Sequence, residues 1–199
     1  EAVRVLKQDG IVAFPTDTLY GLACDPTHPE ALEALYRLKG RAASLRIPFV
    51  AADISQAAGV VSLESGIARR LAARFWPGPL TLVLPLLPNH PLAPWKWGET
   101  LAVRVPAAPA ARDLAREAGV PVPATSANVS GGSSVSRPDR LDPALLSGVA
   151  PLLDGGPLPG GLPSTVLDVT VSPPRLLRSG AISRQSLSSV PGVGPLVTI

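Results

Sequence analysis

The sequence predicts a mixed α/β (α+β) domain whose ligand loops lie at strand ends. Short apolar runs, such as Ile11-Val12-Ala13-Phe14 and Leu101-Ala102-Val103, read as buried strands. Segments with helical apolar spacing lie between them. Several of the strands stop in loops rich in hydroxyl and amide side chains, where open α/β sheets bind their ligands. A chain of 199 residues, 46% hydrophobic and 17% charged, can bury one substantial core and is not a disordered tail. The expected organisation is one domain over residues 1–185 and a C-terminal tail over 186–199, a short helix followed by loose chain.

Taken in order, residues 2–9 read as a short helix stopped by Gly10, and residues 11–14 as a strand. That strand ends in Pro15-Thr16-Asp17-Thr18-Leu19-Tyr20-Gly21-Leu22. Either Asp17 caps a turn there, or the Thr hydroxyls face a small polar substrate. Leu32, Leu35, Tyr36 and Leu38 repeat with helical spacing over residues 29–39, with Pro29 in the first turn and Glu30 and Glu33 early. The cations of Lys39-Gly40-Arg41 suit the helix C-terminus, and they equally suit a triphosphate.

A helix is expected over residues 64–76, then strands over 79–87 and 100–105. Arg104 sits between Val103 and Val105, so its charge must be paired or face a cleft. A further helix over 107–119, closed by Gly119, leads into Val120-Pro121-Val122 and the loop Pro123-Ala124-Thr125-Ser126-Ala127-Asn128-Val129-Ser130-Gly131-Gly132. That loop reads as a polar turn or as a neutral cradle for an anion. Beyond it come a short helix over 139–146, strands at Leu152-Leu153, 164–169 and 175–182, and the tail.

Several chemistries lack their residues. There is one cysteine, Cys24, so no internal disulfide framework exists, and the two histidines leave no Cys/His zinc cluster. Neither a phosphate-binding Gly-x-x-x-x-Gly-Lys-Ser/Thr loop nor a Gly-x-Gly-x-x-Gly fingerprint occurs. No Gly-x-Ser-x-Gly elbow occurs. Residues 75–95 carry no formal charge over a length that could span a bilayer, but prolines at 77, 79, 85, 88, 91 and 94 exclude a lipid-exposed helix. Net charge is +3, too small an excess to mark a nucleic-acid binder by itself. What remains is strand-end hydroxyls (Thr16, Thr18, Ser126, Ser130, Ser164, Thr165), the Asn128 amide, and the cations Lys39, Arg41, Arg104 and Arg178. That inventory fits a phosphorylated, partly zwitterionic small molecule, handled by positioning and charge neutralisation.

Together the loops resemble the YrdC-like family, the threonylcarbamoyl-AMP synthases. The matching pieces are Phe14-Pro15-Thr16-Asp17-Thr18-Leu19-Tyr20-Gly21-Leu22, Lys39-Gly40-Arg41, Trp76-Pro77-Gly78-Pro79-Leu80-Thr81, Val103-Arg104-Val105-Pro106, Thr125-Ser126-Ala127-Asn128, Ser164-Thr165-Val166 and Leu177-Arg178-Ser179-Gly180. They occur in the family's order. After Arg41 the chain runs Ala42-Ala43-Ser44-Leu45-Arg46-Ile47-Pro48, where the family usually has Pro and then an Asn-Pro-Leu-like segment.

The resemblance implies an open, twisted mixed sheet flanked by helices, with a concave, positively charged face. It implies a nucleotidyltransferase that joins L-threonine, bicarbonate and ATP into threonylcarbamoyl-AMP and pyrophosphate. It further implies Mg2+ with the ATP, a cytoplasmic location, and no membrane. The product would pass to a tRNA threonylcarbamoyl transferase complex for t6A modification, with at most weak contact to RNA. By the same resemblance Thr18, Arg104 and Ser164 hold threonine. Lys39, Arg41, Thr100, Ser126, Asn128, Ser136 and Arg178 hold ATP, with Lys39 and Arg41 as the catalytic cations, and no protein-built metal site is expected. The alternatives are an RNA-binding YrdC-like protein, or a paralogue using another carbamoyl or adenylate ligand.

Overall fold

Helix spacing and strand runs in the sequence assemble into two sheets in a computed structural model that describes residues 1–199, apart from 41, 43–45, 96, 97, 134, 160 and 199. The smaller sheet holds β1 (Val12–Phe14), β2 (Gly21–Ala23) and, from far along the chain, β7 (Thr125–Ser126), in the order β1-β2-β7 and all antiparallel. The larger sheet is mixed. It comprises β3 (Phe49–Val50), β4 (Leu80–Pro85), β5 (Thr100–Arg104), β6 (Val122–Pro123), β8 (Thr165–Asp168), β9 (Arg175–Arg178) and β10 (Val197–Thr198), in the order β10-β9-β8-β4-β5-β3-β6. Its parallel pairs are β3 with β5, β4 with β8, and β9 with β10.

Strand burial follows position in the sheet. β4 lies between β8 and β5 and is buried from Leu80 to Leu84, which is why it reads as a continuous apolar run and not as an alternation. The helices are α1 (Ala2–Leu6), α2 (Pro29–Lys39), α3 (Ile54–Ala58), α4 (Gly66–Phe75), α5 (Pro109–Ala118), α6 (Pro143–Leu146) and α7 (Arg184–Ser188). α2 begins with Pro at its first turn and ends at Gly40, whose φ of 56° only a residue without a Cβ adopts freely. Its buried face is Ala31, Leu35 and Lys39, each four residues after the last, so a lysine ends a core stripe. One large cluster joins Leu35, Phe49, Leu71, Leu82 and Val103. Within it Phe49 and Trp95 meet edge to face at 5.3 Å.

The structure departs from the sequence reading in four places. The helix expected over 139–146 is a 3-10 turn, Pro138–Arg140, and then α6, because Asp142 caps a new start before Pro143. Leu152 makes only an isolated bridge to Ala13 and forms no strand. α3 was not anticipated: it is a single turn with too few residues to show a period, and Asp53 caps it by accepting from the Gln56 amide. Residues 186–199 supply buried Leu187, Val190, Val193 and Leu196 and the edge strand β10, which Arg184 fastens by donating to the Leu196 carbonyl and the Thr198 hydroxyl.

The loop that follows Val122 has a particular job. β6 belongs to the large sheet and β7 to the small one, so the chain changes sheets at Ala124, whose amide donates to the Pro48 carbonyl at 2.8 Å. Ser126 is therefore set between the two sheets.

Candidate functional site

The β1–β2 loop, the ends of β5, β7 and β9, and the chain entering β8 surround one cavity of about 350 Å³. That volume is within the range of small-molecule sites. Thr16, Thr18, Thr81, Arg104, Ser126, Ser164 and Arg178 give it polar lining, against an apolar backing that includes Leu19, Phe49 and Val50.

Arg104 is the last residue of β5 and only 6% exposed. Its Nε donates to the Gly78 carbonyl at 3.0 Å, one terminal nitrogen to Thr18 Oγ1 at 3.3 Å, and the other to the Asp17 carboxylate. Burial pushes the pKa of this guanidinium down; Asp17 pulls it back up, and the charge of Arg178 adds a further downward push. A guanidinium still holds its proton at neutral pH. Of five N–H donors, three have acceptors among the described residues, leaving two for a ligand.

The motifs on either side now have physical reasons. In Trp76-Pro77-Gly78-Pro79 the Gly78 amide bonds the Val105 carbonyl at 2.8 Å, which turns the Gly78 carbonyl onto Arg104. A Cβ at Gly78 would stand 2.5 Å from the Phe75 carbonyl oxygen, so no other residue fits without movement. In the β1–β2 loop Thr16 Oγ1 donates to the Leu19 carbonyl at 2.7 Å and accepts from the amides of Thr18 and Leu19. The Thr16 and Thr18 hydroxyls also share a 3.0 Å contact. Thr18 Oγ1 accepts from Arg104 and lines the cavity.

Across the cavity, Arg178 donates to the Ser164 hydroxyl at 2.8 Å and to the Ser164 carbonyl at 3.0 Å. Thr81, 1% exposed on β4, shares a 2.9 Å hydrogen bond with the same hydroxyl. Ser164 is kept in place by the glycine of Ser179-Gly180. A Cβ at Gly180 would lie 2.3 Å from the Pro163 carbonyl oxygen and 2.6 Å from both Ser164 C and Thr165 N, all of them backbone atoms that cannot swing aside. Gly180→Ala is expected to destabilise the fold by about 1–3 kcal/mol. It should also displace Ser164 from the cavity wall, a change checked by thermal unfolding together with ligand titration.

On the nucleotide side expected from the sequence, Ser126 Oγ donates to Asn128 Oδ1, and Asn128 Nδ2 donates to the carbonyls of Val129 at 2.9 Å and Gly132 at 2.6 Å. Lys39, 1% exposed, lies under this loop. Its Nζ donates to the Ser126 and Asn128 carbonyls, the latter at 2.5 Å, and its own carbonyl accepts from the Ser130 amide at 2.8 Å.

Of the residues expected to form the site, Thr18, Arg104, Ser126, Ser164 and Arg178 line the cavity. Lys39 supports the loop beneath Ser126, and Asn128 shapes that loop without lining the cavity. Thr100 stands at the other end of β5 from Arg104, roughly 13 Å away at the rise of a strand. Ser136 is half-buried, outside the cavity, and accepts from the Leu158 amide. Arg41 lies outside the described residues.

Three contributors escaped the sequence reading. Asp17 was read as a turn cap and is the counter-ion of Arg104. Thr81 is a lone hydroxyl in a buried strand, a visible signal that was not used. Tyr20 accepts from the Gly155 amide at 3.0 Å and donates to the Gly156 carbonyl at 2.9 Å, pinning the loop after Leu153; burial raises its pKa. Cys24 is buried and its pKa is pushed up, as befits an inert core thiol. Among the described residues no three His, Cys, Asp or Glu side chains group into a metal site, and no helix is long and apolar enough to cross a membrane.

A family profile for Sua5, YciO and YrdC, described as "Telomere recombination", matches residues 4–180. The chain belongs to this family. The threonylcarbamoyl-AMP synthase of Bacillus subtilis is 38% identical over 198 residues, covering 98% of this chain and 56% of that protein. The threonylcarbamoyl-AMP synthase of Stenotrophomonas maltophilia is 39% identical over 158 residues, 77% of this chain and 84% of that protein. The crystal structure of Pyrococcus abyssi Sua5 complexed with L-threonine superposes with a TM-score of 0.85 at 32% identity, over 98% of this chain and 57% of that one. The Sua5/YciO/YrdC fold is thus the mixed α/β architecture expected from the sequence. The chain spans little more than half the length of the Bacillus and Pyrococcus relatives.

Proposed function

We propose that this Sua5/YciO/YrdC chain is an L-threonylcarbamoyladenylate synthase, making threonylcarbamoyl-AMP and pyrophosphate from L-threonine, bicarbonate and ATP. One observation carries the reading: Thr18, Arg104, Ser164 and Arg178, drawn from four separate segments, line a single cavity. The named relatives and the threonine bound to the Pyrococcus protein support it.

The two open N–H groups of Arg104 take the threonine carboxylate as a charge-assisted pair. The Thr18, Ser164 and Thr81 hydroxyls meet the substrate's polar remainder. The threonine amine and bicarbonate condense with loss of water to an N-carboxylate, and an oxygen of this carbamate attacks the α-phosphorus of ATP. A new C–O–P linkage forms, the α–β phosphoanhydride bond breaks, and pyrophosphate leaves. Arg178 offsets charge that builds on the phosphoryl oxygens, with Lys39, Arg41, Thr100, Ser126, Asn128 and Ser136 on the nucleotide side. Magnesium enters with the nucleotide, as the MgATP substrate. The product passes to a tRNA threonylcarbamoyl transferase in the cytoplasm for t6A modification.

Pyrophosphate release should require threonine, bicarbonate and ATP together. Leaving each out in turn is the test, and release that persists without threonine would overturn the reading.

A further inference from the structure

Two guanidiniums, Arg104 and Arg178, face the same cavity, and Arg178 is near enough for its charge to bear on Arg104. Arg104 has a carboxylate bonded to it. Asp17 holds a terminal nitrogen of Arg104, yet it is not among the residues that line the cavity. Its side chain is 15% exposed and that of Arg104 8%, so water screens the pair weakly. The carboxylate therefore offsets the charge of Arg104 while occupying none of the cavity's volume.

Without that carboxylate, the Arg104 corner would collect any small polyanion. In the proposed reaction that includes pyrophosphate, the product itself. A zwitterionic amino acid has no net charge, and its ammonium and carboxylate respond in opposite directions to an added anion nearby. A phosphate dianion has no such compensation.

We propose that Asp17 is a specificity-determining residue, a fixed counter-charge that makes the Arg104 corner prefer a zwitterionic amino acid over inorganic phosphate anions. The inference rests on the threonine reading above for its amino-acid half; the phosphate half stands on the charges alone. With an effective dielectric near 20, one unit charge roughly 6–12 Å away alters an anion's affinity by about ten- to a hundredfold.

The test is calorimetric titration of the intact chain with inorganic phosphate and, separately, with L-threonine. Asp17→Asn retains an oxygen acceptor for Arg104 and removes only the charge. It should bind phosphate at least about tenfold more tightly, while threonine affinity changes less than about threefold. Asp17→Glu, which restores the charge, should return phosphate affinity toward that of the unaltered protein. Asp17→Ser, neutral and able to accept, is the second arm if the Asn variant does not fold. Unchanged phosphate affinity in the neutral variants overturns the inference. So does equal tightening of both ligands, or joint weakening, which marks a merely structural residue. If the unaltered protein fails to bind threonine, the threonine reading falls, while the phosphate arm still decides whether Asp17 filters anions.

Discussion

Replacing Arg104 by Ala is expected to raise the threonine requirement about ten- to a hundredfold, the cost of one charge-assisted contact at 1.5–3 kcal/mol. The same change should lower the unfolding midpoint, for a separate reason. Asp17 now faces Arg104 in a weakly hydrated setting, and removing the cation strands its carboxylate. Breaking a buried pair by deleting one partner costs about 3–5 kcal/mol, and partial exposure of Asp17 argues for the low end. For a chain of this size that is a fall of roughly 6–12 °C. The two effects separate in the double variant. Arg104→Ala with Asp17→Ala removes both charges, so it should recover much of the lost midpoint but none of the threonine affinity. Calorimetric unfolding and threonine titration on the four proteins of the cycle measure both. Recovery of threonine use in the double variant would remove Arg104 from the substrate's carboxylate.

The alternation of strand and helix was legible because buried strands and amphipathic helices leave periodic signals. The strand-end hydroxyls were legible because turns and sites draw on the same few residue types. Asp17 was not, and the cause is physical. An aspartate in a tight turn has a local explanation ready, and nothing in spacing shows that a strand far along the chain ends beside it. The same holds for β7, two residues long, whose membership of the small sheet depends on pairing with β2 and not on its own composition. Lys39 is the opposite case. Ala31, Leu35 and Lys39 share one helix face, so helical spacing alone places the lysine on the core side, and a buried lysine needs acceptors. Thr100 shares a strand with Arg104, and the strand's length sets it apart from the cavity that Arg104 lines, a separation that motif order alone does not show.

Those acceptors make Lys39→Met a test of how the nucleotide side is built. The Lys39 ammonium donates to the Ser126 and Asn128 carbonyls, and methionine fills similar volume with no donor. Two backbone oxygens in a part-buried loop lose the ammonium; the Ser126 carbonyl keeps the Asn128 amide at 2.9 Å, and leaving the Asn128 carbonyl without its donor costs about 1–3 kcal/mol. The loop from Ser126 to Gly132 should then loosen around Asn128, while the backbone bonds of the Ala127 amide to the Tyr20 carbonyl and of the Ser130 amide to the carbonyl of residue 39 still hold it. ATP affinity should fall by about tenfold or more, whether Lys39 touches a phosphate or only sets the loop that does. Threonine affinity should change by less than about twofold, since Thr18, Arg104 and Ser164 take their bonds from other segments and the sites are coupled weakly. Equal losses for both ligands would show that the loop and the Arg104 corner move as one body. A loss confined to ATP would show that the cavity is assembled from two halves, an amino-acid pole fixed by buried ion pairing and a nucleotide pole whose neutral loop takes its shape from the lysine beneath it.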